Sequence, residues 1–262
     1  MLLRRLKTDK LDGLPPKHEH ALRVEMPPKQ VQAYERALAL REVAGPRGTL
    51  GMIHALRTVS LHPVLTDGSE PGGELKVEES ARFLAMISTL DQIAPTGEKV
   101  LVFLESLDLQ AADQLPLLLQ RRYGLVKSPM VINGMVKTEA RQARVNAFQE
   151  NRDFDIMLLS PKAGGVGLTL TAANHVIHLS RWWNPAVEDQ ATDRVYRIGQ
   201  TKNVQIHKFL CAGTLEDKID DMIEAKKGLA ESIVGADENW ITELSTTELK
   251  KIFELQKDAI GE

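Results

Sequence analysis

An α/β fold built on a doubly wound parallel sheet flanked by helices is predicted for this chain, on three observations. Short apolar runs recur from residue 99 onward, helical stretches separate them, and most of the runs lack the in–out alternation of a sheet with one wet face. Strands alternating with helices argue for parallel pairing through crossover connections.

The elements follow in order. "LDGLPPK" (11–17) is a turn, because its two prolines forbid helix continuation. "PPKQVQAYERALALREVAG" (27–45) opens on prolines, has a helical body and stops at Gly45. "TLGMIHALRTVSLHP" (49–63) is apolar at helical spacing and ends at Pro63, and "TDGSEPGGE" (66–74) is a loop by composition. A helix over 77–93 places Leu84, Ile87 and Leu90 in the core. The predicted strands are "KVLVFL" (99–104), "PMVING" (129–134), "DIMLLS" (155–160), "HVIHLS" (175–180) and "VQIHKFL" (204–210). Between them lie a helix over 138–150 with Thr138 as N-cap, and another over 187–197 with Asn184 as N-cap and Pro185 at the first helical position. An amphipathic helix over 213–235 and a short one near 246–256 form the tail. The first third is thus helical and irregular, residues 96–212 form the α/β domain, and 213–262 form a helical tail packed on it. No repeat or low-complexity segment interrupts this plan.

The totals bound the function. At 262 residues, 43% hydrophobic and 26% charged, the chain suits a globular domain with a substantial core. Its single cysteine, Cys211, excludes an internal disulfide and a cysteine-rich metal site, and suits a reducing compartment. No apolar run reaches membrane-spanning length, and the start "MLLRRLKTDK" is not a signal peptide, so a bacterial-type cytoplasm or a nucleus would both fit. Net charge is distributed unevenly: +5 over residues 1–60, −1 over 61–213 and −7 over 214–262. A polyanion contact is therefore expected at the front or at local sites rather than on the tail.

Ligands of open parallel sheets bind beyond the carboxyl ends of the strands. "SPKAGGVGLTLTAA" (160–173) holds that position, and its glycines let backbone amides approach a phosphate. No G-x-x-x-x-G-K-S/T run occurs anywhere, so the chain has no phosphate-cradling P-loop lysine. In "NPAVEDQATDRVYRIGQ" helical spacing places Val187, Ala191, Val195 and Ile198 on one face, with Gln190, Arg194 and Arg197 about a quarter-turn away. That stripe fits a solvated face paired with Asp193 and Glu188. It fits equally a clamp on a phosphate supplied from elsewhere, since arginine offers forked donors and a permanent charge.

The segment "LLSPKAGGVGLTLTAANHVIHLSRWWNPAVEDQATDRVYRIGQ" closely resembles motifs V and VI of the Swi/Snf family of superfamily-two ATPases, which are double-stranded DNA translocases and chromatin remodellers. "MLLRRLKTDKLDGLPPK" is similar to the family segment joining two RecA-like lobes, "VLVFLESLD" to motif IV, and "INGMVKTEARQARVNAF" to the segment after it. "ENWITELSTTELKKIFEL" is similar to the C-terminal end of bacterial members. The resemblance implies a C-terminal RecA-like lobe at 96–212, an interlobe joining segment with a helical insertion at 1–95, and a tail at 213–262. It implies that Arg194 and Arg197 are arginine fingers, with Gln190 at the same cleft, and that Gly165 and Gly167 lie near nucleotide and interlobe contacts. Ser160, Lys162, Trp183 and Arg141 fall at DNA-facing positions. ATP and Mg²⁺ would be held mainly by an N-terminal lobe that this sequence lacks, which accounts for the missing P-loop; duplex DNA and that lobe are the implied partners. The chain then supplies half an active site and is expected to be inactive alone.

Departures from the family pattern are Pro161, Thr169, Ser180 and the Leu104–Glu105 pair. Pro161 removes a backbone donor, which weakens a phosphate contact at that point. Trp182 reads as a core aromatic. His175 and His178, three apart on a strand, point to opposite faces and cannot share a metal, His18 and His20 read as solvated, and no metal site is expected. Two functions follow from different classes: the second motor lobe of an ATP-dependent DNA translocase, or a stand-alone non-catalytic DNA- or protein-binding module of the same fold. The intact arginines favour the first, as does a start at Met1 within a joining segment. An upstream reading frame carrying the P-loop lobe would separate the two.

Overall fold

In the computed structural model, residues 14–39, 49–65, 75–161, 168–182 and 185–227 are described. Six strands form one sheet: β1 (Lys17–Val24), β2 (Lys99–Phe103), β3 (Met130–Ile132), β4 (Ile156–Leu159), β5 (Ala173–His178) and β6 (Val204–Cys211). Their spatial order is β1-β6-β5-β2-β4-β3, and every pairing is parallel. The described helices are α1 (Pro28–Ala39), α2 (Thr49–Leu61), α3 (Ala81–Ile93), α4 (Leu115–Tyr123), α5 (Thr138–Glu150), α6 (Pro185–Thr192) and α7 (Leu215–Lys227). This is the doubly wound α/β architecture of the RecA type, with five of the six strands where the apolar runs predict them.

Strands β2, β4 and β5 are buried along their whole lengths, so both faces of the sheet are covered. On one face Val100, Val102, Ile156, Leu158 and Ile177 pack with Phe83, Met86 and Leu90 of α3 and with Leu115 and Leu119 of α4. On the other, Leu101, Phe103, Met157, Leu159 and Val176 meet Val145 and Phe148 of α5, Ala191 of α6, and Val195. A third cluster joins α1, α2 and α7 through Tyr34, Leu56, Val59, Leu215 and Ile219. Its polar seam is made by Tyr34, whose hydroxyl accepts the Leu215 N–H at 2.7 Å and so satisfies the start of α7.

Four sequence expectations are corrected. Strand β1 was not foreseen: it pairs along its length with β6, from Lys17 beside Val204 to Val24 beside Cys211. As an edge strand it is almost wholly exposed, so it carries polar residues and no apolar run. His18 and His20 are exposed as expected, but the His20 ring also stacks on His207 and lies 2.7 Å from Gln205 Oε1. Helix α4 was also missed, despite Pro116 near its start and Gly124 in the left-handed region just past its end. In α3 the core positions are Phe83, Met86, Ile87 and Leu90, whereas Leu84 is 45% exposed, one position off the buried face. Thr138 is the first helical residue of α5; the N-cap is Lys137, without a side-chain cap bond. The boundary signals expected at Gly45 and Asn184, and the tail beyond residue 227, lie outside the described residues.

Burial in the sheet lowers the pKa of three histidines, His175, His178 and His207, the last two most. His178 stacks on Phe103 at 5.3 Å and lies 3.0 Å from Thr192 Oγ1. Burial pushes its pKa down to about 4. On the opposite face His207 lies between His20 and His175, and burial, followed by those two neighbours, pushes it down to about 4 as well. Both values lie below the unfolded reference near 6.5. The stability they contribute is therefore present above pH 6.5 and is lost as pH falls towards 4, at up to about 1.4 kcal/mol per pH unit for each ring. Urea midpoints are expected to fall between pH 7.5 and pH 5, and to fall less in a His178→Gln variant.

Candidate functional site

The carboxyl ends of β2, β4 and β5 lie side by side, and the connection from β4 to β5 crosses over β2. The segments leaving these strands therefore converge on one edge of the sheet, the usual place for a ligand in this architecture. Ser160, directly after β4, is half-buried and its N–H donates to Ile132 O at 2.9 Å, which fixes where the loop departs. Pro161 is buried and Thr169 is exposed. Lys162, Gly165, Gly167 and Trp183 lie outside the described residues. Ser180 ties two strand exits together, its Oγ accepting the Glu105 N–H at 3.0 Å.

Helix α6 begins at Pro185 as expected but ends at Thr192, so the helix predicted over 187–197 is a helix followed by turns. The reason is tertiary: the Arg194 carbonyl, which would continue the helix, accepts the Leu170 N–H at 3.0 Å instead. Gln200 completes the frame. Its Nε2 donates to Ala173 O at 2.8 Å, and its Oε1 accepts the N–H groups of Thr201 and Lys202 at 3.0 and 2.9 Å. The segment from 193 to 199 is thereby pinned between the starts of β5 and β6. Ala191 and Val195 are buried as the helical reading requires, but Ile198, past the break, is 74% exposed.

Gln190 and Arg197 are exposed, whereas Arg194 is 6% exposed. Arg194 Nε makes no hydrogen bond among the described residues. Burial lowers the guanidinium pKa, and the neighbouring Arg197 lowers it further. A buried donor left without a partner costs stability. With α6 ending at Thr192, Gln190, Arg194 and Arg197 do not form the single helical stripe expected from their spacing, and Glu188 faces other partners. That carboxylate is 3% exposed and turns the other way, towards Arg181 at 2.8 Å and Lys208 at 3.4 Å. Burial alone would raise its pKa, but Arg181 first, then His178 and Lys208, hold it at about 2.

Arg141 is placed differently from a free DNA-facing cation. Its Nε donates to Val136 O at 2.7 Å and its Nη2 to Asn133 O at 3.2 Å, so it braces the loop between β3 and α5. Trp182 is buried, with Arg57 stacked over its ring at 5.8 Å.

A cleft of about 440 Å³ opens at the exits of β2 and β5, lined by Arg57, Arg82, Glu105, Arg181 and Glu216 among others. Arg82 is fully buried, pairs with Glu216 of α7 and donates to Leu179 O at 3.1 Å. Arg57 donates to Glu105 at 3.1 Å and to Arg181 O at 3.1 Å. Arg23 of β1 pairs with Asp217 and Asp221 of α7. Part of the basic front thus answers the acidic tail within the molecule. Sequence reasoning missed this network because its partners stand far apart in the chain and follow no spacing rule. Among the described residues no group of three or more His, Cys, Asp or Glu side chains is arranged to hold a metal ion, and no helix is long and apolar enough to cross a membrane.

Comparison with known proteins matches residues 84–199 to the helicase conserved C-terminal domain. The chain is 38% identical over 268 residues to the putative ATP-dependent helicase/translocase YwqA of Bacillus subtilis, covering 98% of this chain and 28% of that protein. It resembles the Sulfolobus solfataricus SWI2/SNF2 ATPase core in complex with dsDNA at a TM-score of 0.77 and 32% identity, covering 92% of this chain and 51% of that one. The separate C-terminal domain of a Sulfolobus solfataricus SWI2/SNF2 ATPase matches at a TM-score of 0.72 and 29% identity, covering 92% and 99%. The chain therefore spans under a third of the bacterial relative and about half of the ATPase core, but nearly all of the C-terminal domain.

Proposed function

Because the chain belongs to the SWI2/SNF2 family of helicase-like ATPases, as a C-terminal RecA-like lobe of bacterial type, we propose that it is the second motor lobe of an ATP-dependent double-stranded DNA translocase. The observation that carries the reading is Arg194, buried yet with Nε unpartnered among the described residues, on a pinned turn beside exposed Arg197. This donor set fits a polyphosphate: two permanent cations with forked N–H groups, next to the amide of Gln190. ATP supplies the transferable phosphoryl group, and together with Mg²⁺ it would be held by the N-terminal lobe. Arg194 and Arg197 then meet the charge that develops on the phosphoryl oxygens, and stabilise the transition state more than the ground state. Gly165 and Gly167 are proposed to lie at the same face.

Duplex DNA is the proposed track, supported by the dsDNA complex of a relative. Ser160, Lys162 and Trp183 are the proposed contacts. Arg141 acts there chiefly through the loop that it braces, since two of its donors are already engaged. We assign residues 1–95 to the interlobe connection, 96–212 to the lobe and 213–262 to the tail. β1 is contributed by the first of these segments and completes the sheet of the second.

The test is phosphate release from ATP in the presence of duplex DNA. The chain alone is expected to show no turnover, and the chain joined to its N-terminal lobe to show DNA-stimulated turnover. Hydrolysis that co-purifies with the isolated chain would refute the half-site reading. Failure of any N-terminal lobe to restore turnover would favour a non-catalytic binding module instead.

A further inference from the structure

Arg181, at the exit of β5, joins α6 to α7. Its side chain is 9% exposed, its Nε donates to Glu188 Oε1 at 2.8 Å, and its Nη2 donates to Asp220 Oδ1 at 2.9 Å. Glu188 stands on α6, two residues before Gln190; Asp220 stands on α7. The Trp182 N–H also donates to Glu188 Oε1, at 3.0 Å, so the carboxylate closes the chain back onto the start of α6. Arginine suits this junction, because a planar fork serves two carboxylates in fixed directions and an ammonium does not.

The docking of α7 combines ion pairs with apolar packing. Glu216 meets Arg82 from α3, Asp217 and Asp221 meet Arg23 from β1, and Asp220 meets Arg181, while Leu215 and Ile219 enter the apolar cluster with α1 and α2. An undocked α7 would leave Arg181 with Glu188 as its one remaining carboxylate. Arg181 would lose the second of its two anchors, and Glu188 on α6 would be left with a less firmly held partner.

We propose that Arg181 is a positioning residue through which the docked tail helix α7 holds α6, and hence Gln190 and the arginine turns, in their working pose. The proposal rests on the function assigned above and adds its regulation: undocking of α7 disengages the arginine face of the lobe.

Hydrogen–deuterium exchange on the whole chain tests it. Asp220→Asn removes the charge at a partly exposed position without changing size, so the fold persists. Amides between 188 and 197 are expected to exchange about tenfold faster, while those of β2 and β4 are unchanged. Arg181→Met should reproduce the pattern and Arg181→Lys should not rescue it. Unchanged exchange at 188–197 in Asp220→Asn would overturn the coupling. So would uniform acceleration throughout the sheet, which reports lost stability alone. Should Arg197→Ala leave turnover intact in the two-lobed protein, the assigned function fails while the exchange result stands by itself.

Discussion

Arg197→Ala in the two-lobed protein is expected to lower DNA-stimulated ATP turnover by about 10³–10⁵-fold, the usual range for losing an arginine finger. The side chain is exposed, so thermal stability should change by no more than about 0.5 kcal/mol. Arg194→Met is expected to cost turnover on a similar scale, although two residues acting on one transition state do not contribute additively. Its effect on stability should be neutral or favourable. The substitution fills the same volume with an apolar chain and removes a buried charge whose Nε finds no acceptor among the described residues. A variant that loses activity while keeping or gaining stability marks a group held for function rather than for folding. Lysine at either position should rescue poorly, because a point charge cannot reproduce the planar fork. Steady-state kinetics paired with thermal melts would read both arms.

Glu188→Gln is expected to have the largest effect on stability, about 3–5 kcal/mol, the cost of removing one partner from a buried ion pair. Its carboxylate is 3% exposed and faces Arg181, Lys208 and the Trp182 N–H. Glutamine keeps the shape but leaves Arg181 with Asp220 alone and Lys208 with Glu19 alone. Urea denaturation at neutral pH is the check. The wild-type contribution persists across the whole range above the ordinary carboxyl pKa and is lost only as pH falls towards about 2. The difference between wild type and variant should therefore narrow in strong acid.

The strands most plainly read from the sequence include β2 and β4, which bury both faces. "KVLVF" and "IMLL" have no polar residue inside the run, because water touches neither side of β2 or β4. "KHEHALRV" reads as irregular for the opposite reason. An edge strand needs hydrogen bonds on one side only, and its side chains can be polar throughout. The over-long α6 followed from helical spacing continued through residue 197, overridden by a hydrogen bond from Leu170 that no local pattern announces.

In the site, the spacing of Gln190, Arg194 and Arg197 was legible because the three stand close together in one short stretch of the chain. The Arg181 junction was not. Its carboxylates come from positions 188 and 220, brought together only by the crossover that returns the chain through β6. Leu84 shows the finer limit: helical periodicity locates a buried face to within about one residue, and packing decides the rest.

The central claim is that Arg194 and Arg197 complete a nucleotide site built by another lobe. Its most direct test is a structure of the two-lobed protein trapped with duplex DNA, ADP and aluminium fluoride in place of the transferring phosphoryl group. Both guanidinium groups are expected to lie within hydrogen-bond distance of the fluoride, with Arg194 Nε or its terminal nitrogens newly paired. A closed, fully occupied site in which the fluoride is met only by residues of the N-terminal lobe, with both arginines turned into their own lobe, would contradict the account.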